Sequence, residues 1–235
     1  MSLNEEKPIV ISVGGSLLVP GEINTSWLVN FRAWLIDQIK LDRKFILVCG
    51  GGQIARKYQK ATKEILSIDS LENFSLDLLG IASTALNAEL IKALLPRETD
   101  PEILRGKPSE IKPLDYPITL SAGWEPGAST DKIAVELTRI YSAEKLINLT
   151  DIDYVYDQDP KNNPEAKALP NLTWAEFLAL LPKKWSPGLK SPFDPIASHL
   201  ASELGIELAI IGGQDLRQLD YYLANQDFIG TLIRS

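Results

Sequence analysis

The sequence feature that most constrains the fold is a short apolar run that ends at glycines and recurs along the chain. Residues 9–13 end at Gly14-Gly15, residues 44–48 lead into Gly50-Gly51-Gly52, and residues 118–121 precede a loop from Gly123 to Gly127. Runs of this length predict buried strands, and the helical periodicity after them predicts strand–helix–strand units. We therefore expect a mostly parallel sheet covered by helices on both faces, with ligands at the carboxyl ends of the strands.

The rest of the chain continues this alternation. One helix is predicted to start near Trp27. Further helices are predicted over residues 53–63, 76–95, 131–141, 173–181, 196–204 and 216–223. Further strands are predicted over 145–149, 207–211 and 228–233, whereas 96–116 reads as hairpin or irregular structure. Two long polar segments, 151–170 and 182–192, are predicted loops, and long loops in a compact domain are usually functional.

Composition excludes several classes of protein. The 235 residues are 45% apolar, enough for one large α/β domain or two small ones, and a net charge of -7 disfavours nucleic acid as a partner. One cysteine, Cys49, and one histidine, His199, provide neither a disulfide framework nor a zinc cluster, which favours a reducing cytoplasm. The polar start and the lack of an apolar run of about 18 residues predict no targeting segment and no membrane partner.

The glycine turns are candidates for phosphate binding. Backbone amides at such turns can converge on phosphate oxygens, although each turn alone is weak evidence and more often an ordinary strand–helix connection. Neither G-x-x-x-x-G-K-[ST] nor G-x-G-x-x-G occurs in the sequence. The acidic segment 150–160 could place hydroxyls, an aromatic face and carboxylates beside a nucleotide and its Mg²⁺, or could be a solvated loop.

In their order and spacing, these motifs resemble the amino acid kinase superfamily, and most closely the archaeal-type uridylate (UMP) kinases. The similarity spans residues 8–233 and includes Gly14-Gly15-Ser16, Gly50-Gly51-Gly52 with Arg56, Asp77 to Gly80 with Asn87-Ala88, Pro126 to Asp131, residues 150–160, and Asp194-Pro195 with Ala197. The resemblance implies a single domain over residues 1–235, folded as a three-layer α/β/α sandwich with a mostly parallel central sheet. It also implies phosphorylation of UMP to UDP by ATP with Mg²⁺, in pyrimidine nucleotide biosynthesis, by a homohexamer.

The same resemblance implies roles for individual residues. Residues 8–130 would form the acceptor side and 131–235 the ATP side, with Asp131 organising the catalytic centre. ATP would contact Gly14, Gly15, Ser16, Gly52, Arg56, Thr150, Asp151, Tyr156 and Asp159. UMP would contact Gly51, Asp77, Gly123, Trp124, Glu125, Pro126, Gly127, Ala128 and Ser129. We expect no metal ligands that belong to the protein alone, because Mg²⁺ would arrive with ATP.

The sequence departs from the family pattern at the reaction centre. Many relatives place a lysine two residues before the first glycine pair, where this chain has Ser12. Lys132 and Lys190 are the favoured substitutes, with Arg56 a third candidate, although both lysines could be solvated surface residues. In the acidic segment, Asp151 and Tyr154 replace the usual asparagine and glycine, so we expect the loop there to be displaced or to have an ordinary φ.

Two alternative functions remain open. The chain could be another small-molecule kinase of the same superfamily, or a non-catalytic relative that binds nucleotide for sensing or storage. Its length favours UMP kinase over the usually longer carbamate kinases and the multidomain aspartate kinases. A phosphate acceptor carries an anionic oxygen near neutral pH, so the reaction needs no general base, which is consistent with the near absence of histidine.

Overall fold

The computed structural model describes residues 7–66, 73–109, 113–160, 162–181 and 191–235. In these ranges seven strands form one sheet in the order β3-β2-β1-β4-β6-β7-β5. The strands are β1 (Ile9–Val13), β2 (Phe45–Cys49), β3 (Ile118–Ser121), β4 (Lys145–Thr150), β5 (Asn171–Thr173), β6 (Leu208–Gly212) and β7 (Thr231–Arg234). All pairs are parallel except β6 with β7. The expected α/β fold with a mostly parallel sheet is confirmed.

Helices connect the strands and cover both faces of the sheet. In chain order they are α1 (Gly15–Leu18), α2 (Thr25–Ile39), α3 (Gly52–Leu66), α4 (Asn73–Leu94), α5 (Thr130–Ile140), α6 (Trp174–Leu180), α7 (Pro195–Glu203) and α8 (Arg217–Leu223). Local signals define several of their ends. The Asn24 side chain accepts a hydrogen bond from the Trp27 amide at the start of α2, and Thr173 and Glu176 form a reciprocal capping box on α6.

Alternate residues of the central strands enter two separate apolar cores, as the pleat of a strand requires. In β1, Ile9, Ile11 and Val13 pack with α1, α2, α4 and α8 on one face. On the other face, Val10 packs with residues of α5, α6 and α7. These two cores give the three layers, helix on sheet on helix, that the sequence predicts.

Two elements were not predicted from the sequence. The strand β5 is three residues long and buries only Leu172, so its sequence carries no alternating pattern. The helix α1 is four residues long and follows Gly14 directly. Among residues 96–116, the described part contains no named strand, only bridges from Thr99 and Leu104 to β3, so the irregular interpretation is correct there.

The helix α4 qualifies the expectation that no segment could span a membrane. Its stretch Phe74–Leu94 is long and apolar enough to do so by length and composition, with a mean hydropathy of 1.3. However, 39% of the tested window is buried, and the helix packs against α3, β2 and β3. It is therefore a partly buried core helix, a type that satisfies the same criteria.

Candidate active site

The glycine turns after β1 and β2 lie in direct contact at the carboxyl edge of the sheet. A Cβ on Gly15 would lie 2.1 Å from the Gly52 amide nitrogen, and a Cβ on Gly50 would lie 2.6 Å from the Gly15 nitrogen. Gly52 also has a φ of +63°, which disfavours any side chain there. These glycines are therefore required by close backbone packing, which brings the two loops of the candidate site together.

Strand order reverses between β1 and β4, and polar side chains converge at that point. Ser12 of β1 is in register with Asn148 of β4, and both are buried. The Ser12 hydroxyl donates to Asp131 Oδ1 at 2.9 Å, and the Asp194 amide donates to Asp131 Oδ2 at 3.1 Å. Asn148 Nδ2 donates to the Pro192 carbonyl at 2.7 Å. A reversal of strand order opens a crevice at the strands' carboxyl ends, which is the usual ligand position in open α/β sheets.

Asp131 lies in the first turn of α5, which packs over β1, β2 and β4. Burial raises the pKa of Asp131 from 3.8 to about 6, although the hydrogen bonds from Ser12 and Asp194 oppose this increase. The nearby carboxylate of Asp194 raises the pKa further. A carboxyl group with a raised pKa in a crevice is typical of a functional site.

The predicted ATP side is continuous around the first glycine turn. The Gly14 amide donates to the Leu149 carbonyl at 2.8 Å, and a Cβ on Gly14 would lie 3.5 Å from the Thr150 Cα. The Gly213 amide donates to the Thr150 carbonyl at 2.7 Å. Ser16, half-buried in α1, completes this group. The structure thus brings Gly14, Gly15, Ser16, Gly52 and Thr150 together.

The acidic segment that follows β4 departs from the sheet as an irregular loop. Asp151 and Asp159 are exposed, and Tyr156 packs edge-on to Tyr154 with ring centroids 6.3 Å apart. Among the described non-glycine residues, positive φ occurs only at Asp42, Ser142 and Asn225, so Tyr154 has an ordinary φ, which is one of the two expected alternatives. The backbone of Tyr156 forms an antiparallel bridge with Ala168 in this loop.

The predicted acceptor side assembles along helix α4. Asp77 Oδ2 accepts a hydrogen bond from the Gly127 amide at 2.7 Å, and a Cβ on Gly51 would lie 3.4 Å from the Gly80 carbonyl. Trp124 is half-buried against the core beneath α5, which favours a loop anchor. Of the other loop residues, Pro126 and Ala128 are half-buried, Glu125 is exposed, and Ser129 caps α5 by accepting from the Lys132 amide.

The candidate cations differ in their surroundings. Lys132 Nζ lies 3.2 Å from Glu125 Oε2 and 3.5 Å from Glu136 Oε1. Partial burial lowers the pKa of Lys132, but these two carboxylates outweigh it and hold the pKa above its usual value. Arg56 is exposed and donates to Gln53 Oε1 at 3.0 Å. Lys190 lies outside the described residues.

The described residues contain no group of three or more His, Cys, Asp or Glu side chains that could hold a metal ion. Mg²⁺ commonly keeps several waters and binds one or two carboxylates together with the phosphates of a substrate. The crevice offers one central carboxylate, that of Asp131, and this fits a metal ion that arrives bound to a nucleotide.

Two contacts at the candidate site were missed by the sequence-based interpretation. The partner of Asp131 is Ser12, which the sequence marked only as the position of a missing lysine, and the pair is 119 residues apart. Thr84 accepts from the Gly123 amide at 2.8 Å, and no motif pointed to it. Its helical spacing from Asp77 and Asn87 was the one available signal.

A protein-family model decides the family. The model of the amino acid kinase family matches residues 7–113 and 117–212, which includes every described element of the crevice up to the end of β6. The chain belongs to the amino acid kinase family.

Curated members of this family are similar over nearly the whole chain. A uridylate kinase from Thermococcus sibiricus is 33% identical over 90% of this chain and 92% of its own length. One from Methanocorpusculum labreanum is 31% identical over 96% of this chain and 94% of its own. The crystal structure of a uridylate kinase from Archaeoglobus fulgidus has a TM-score of 0.76 at 24% identity, covering 96% of this chain and 99% of its own, and supports the amino acid kinase fold.

Proposed function

We propose that this protein transfers the γ-phosphoryl group of ATP to UMP, giving UDP and ADP. The observation that carries the proposal is the full-length similarity to uridylate kinases, at 30–33% identity over at least nine-tenths of both chains for several relatives. The crevice supports it, because two glycine turns in contact suit two phosphorylated substrates that meet end to end, and the Asp131 carboxylate beside them would face the Mg²⁺ that is bound with ATP.

The proposed division assigns residues 8–130 mainly to UMP and residues 131–235 to ATP. The first glycine turn, Gly52 and Arg56 are the exceptions, because they belong to the first part of the chain and serve ATP. In this proposal the triphosphate lies against Gly14, Gly15, Ser16 and Gly52, and the adenosine lies near Thr150, Asp151, Tyr156 and Asp159, with Arg56 at the edge. UMP lies against Gly51, Asp77 and residues 123–129. Contacts of Gly15 with Gly52, and of Gly127 with Asp77, support a continuous crevice.

The proposed mechanism is direct in-line transfer. The UMP phosphate already carries an anionic oxygen, so the residues need only align it with the γ-phosphorus and offset the charge of the transferred group. Mg²⁺, when bound with ATP, supplies positive charge on the phosphates. In this proposal ionised Asp131, whose carboxylate accepts hydrogen bonds from Ser12 and the Asp194 amide, organises the catalytic centre. Lys132 and Lys190 are the candidate residues for the positive charge on the transferred phosphoryl group.

We also propose a cytoplasmic homo-oligomer, with a hexamer as the expected form. Helices α3 and α4 expose large apolar side chains, which supports a contact between copies of the chain. This α3–α4 apolar face consists of Tyr58, Ile65, Leu66, Phe74, Leu78 and Leu86, with 47% to 80% of each residue exposed. Light scattering should report a mass several times the 26.0 kDa of one chain, and Leu86→Lys should reduce that mass if this face is the contact. An unchanged mass for Leu86→Lys would contradict this use of the face.

A phosphotransfer assay with several acceptors offered in parallel tests the function. With ATP and Mg²⁺, we expect rapid formation of UDP from UMP and little product from other nucleoside monophosphates, carbamate or aspartate. Strong turnover of another acceptor with none of UMP would refute the proposal. Binding of nucleotides in calorimetry without any turnover would also refute it, and would favour the storage or sensing alternative.

A further inference from the structure

Helix α4 holds the backbone of both the second and third glycine loops through polar side chains on one face. Asn87 Nδ2 donates to the Gly50 carbonyl at 2.7 Å, and Thr84 Oγ1 accepts from the Gly123 amide at 2.8 Å. Since the residues lie three apart on one helix, they are neighbours on its surface. Both loops are therefore held in position by the same helix.

The Thr84 hydroxyl is used both as a donor and as an acceptor of hydrogen bonds. Only 6% of the residue is exposed, and its hydroxyl donates to the Ile81 carbonyl at 2.7 Å. The one hydroxyl proton is used within α4, so the oxygen is left to accept from the Gly123 amide. A Cβ on Gly123 would lie 3.2 Å from this oxygen, which shows how closely the loop backbone approaches the helix.

Gly123 begins the loop that reaches Ser129, and the far part of the same loop is also tied to α4. The Gly127 amide donates to Asp77 Oδ2, which is exposed to solvent in part, whereas the bond from Gly123 to Thr84 is buried. The buried bond cannot be replaced by water without movement of the backbone. The first amide of the loop is thus fixed before any substrate binds.

We infer that Thr84 is a positioning residue for the acceptor: it fixes the loop of residues 123–129 on α4 so that the loop can receive the sugar and phosphate of a nucleoside monophosphate. The inference rests on the proposed function and refines it. Thr84 acts through the Gly123 amide and does not itself contact the substrate. Its loss leaves a buried donor unpaired, so the loop must shift, and substrate binding must then restore its position.

The test compares Thr84→Val with Thr84→Ser and with a matched control. Thr84→Val keeps the shape but removes the acceptor, whereas Thr84→Ser keeps the hydroxyl. Thr138→Val is the control, because Thr138 is also a buried helical threonine whose hydroxyl donates to a carbonyl of its own helix, that of Ala134. Steady-state kinetics measure KM for UMP and for ATP separately. Hydrogen exchange of peptides covering residues 122–129 measures the order of the loop.

We expect Thr84→Val to raise KM for UMP about tenfold, which corresponds to about 1.4 kcal/mol, while KM for ATP stays within about twofold of the original. Exchange in the loop should accelerate in this variant alone, and Thr84→Ser and Thr138→Val should behave as the unmodified protein. An unchanged KM for UMP with unchanged loop exchange, or equal increases in both KM values, would overturn the inference. If the unmodified protein phosphorylates no UMP, the proposed function fails; loop exchange then still tests the hydrogen bond.

Discussion

The contact between Ser12 and Asp131 leads to a quantitative prediction about pH dependence. Ser12→Ala removes the hydroxyl that donates to Asp131 Oδ1 at 2.9 Å, in a position where only 2% of Ser12 is exposed. That hydrogen bond favours the ionised carboxylate, so its loss raises the pKa of Asp131 above about 6.

A hydrogen bond to a charged group contributes about 1.5 kcal/mol at the low end of its range, which corresponds to about 1 pH unit. If the reaction requires ionised Asp131, activity falls as the pH decreases through its pKa. The acid limb of the Ser12→Ala profile should therefore lie about 1 pH unit above that of the unmodified protein.

The assay is kcat/KM for UMP from about pH 5 to about pH 9, because this ratio reports ionisations of the free enzyme. Ser121→Ala is the matched control: Ser121 is a buried serine near the carboxyl end of β3, and its hydroxyl donates to the Ala122 carbonyl. Its acid limb should stay in place. Superimposable limbs for Ser12→Ala and the unmodified protein, or a limb at lower pH, would refute the reasoning.

Two further variants test the packing and the charge of the crevice. Gly15→Ala should destabilise the fold by about 3 kcal/mol, the upper end of the usual cost of overpacking, because its Cβ would lie 2.1 Å from the Gly52 nitrogen, whereas Gly21→Ala, with no atom within 4 Å, should leave urea unfolding unchanged. The folded-state pKa of Asp131, about 6 against an ordinary 3.8, means that the free energy of unfolding decreases as pH rises through this interval. Asp131→Asn should therefore abolish turnover, and the difference in free energy of unfolding between variant and unmodified protein should favour the variant more at pH 8 than at pH 4, by at most about 3 kcal/mol; a difference that is the same at both pH values would contradict this origin.

The sequence predicts the elements whose signals are local. Buried apolar runs gave the central strands, and the helix predicted to start near Trp27 is correct because its cap is formed by a neighbouring residue, Asn24. The short strand β5 was missed because three residues with one buried side chain carry no period. Its existence depends on pairing with β7, about 60 residues later in the chain.

In the candidate site, too, local features could be predicted from the sequence and contacts between distant residues could not. The glycines at positions 14, 15 and 50–52 could be recognised as a loop pair, but only the structure shows that Gly15 and Gly52 pack backbone to backbone. In the sequence, Ser12 was notable only because many relatives have a lysine at that position. Its hydrogen bond to Asp131 joins residues that are 119 positions apart in the chain. Such contacts are set by tertiary packing, which no local pattern encodes.

The most direct measurement of the central claim is a crystal structure with a non-hydrolysable ATP analogue and UMP bound together. We expect the triphosphate against Gly14-Gly15 and the UMP phosphate within residues 123–129, with the γ-phosphorus aligned towards the UMP phosphate beside Asp131. Binding of either nucleotide away from the carboxyl edge of the sheet, or two nucleotides whose phosphates point apart, would contradict the proposed mechanism.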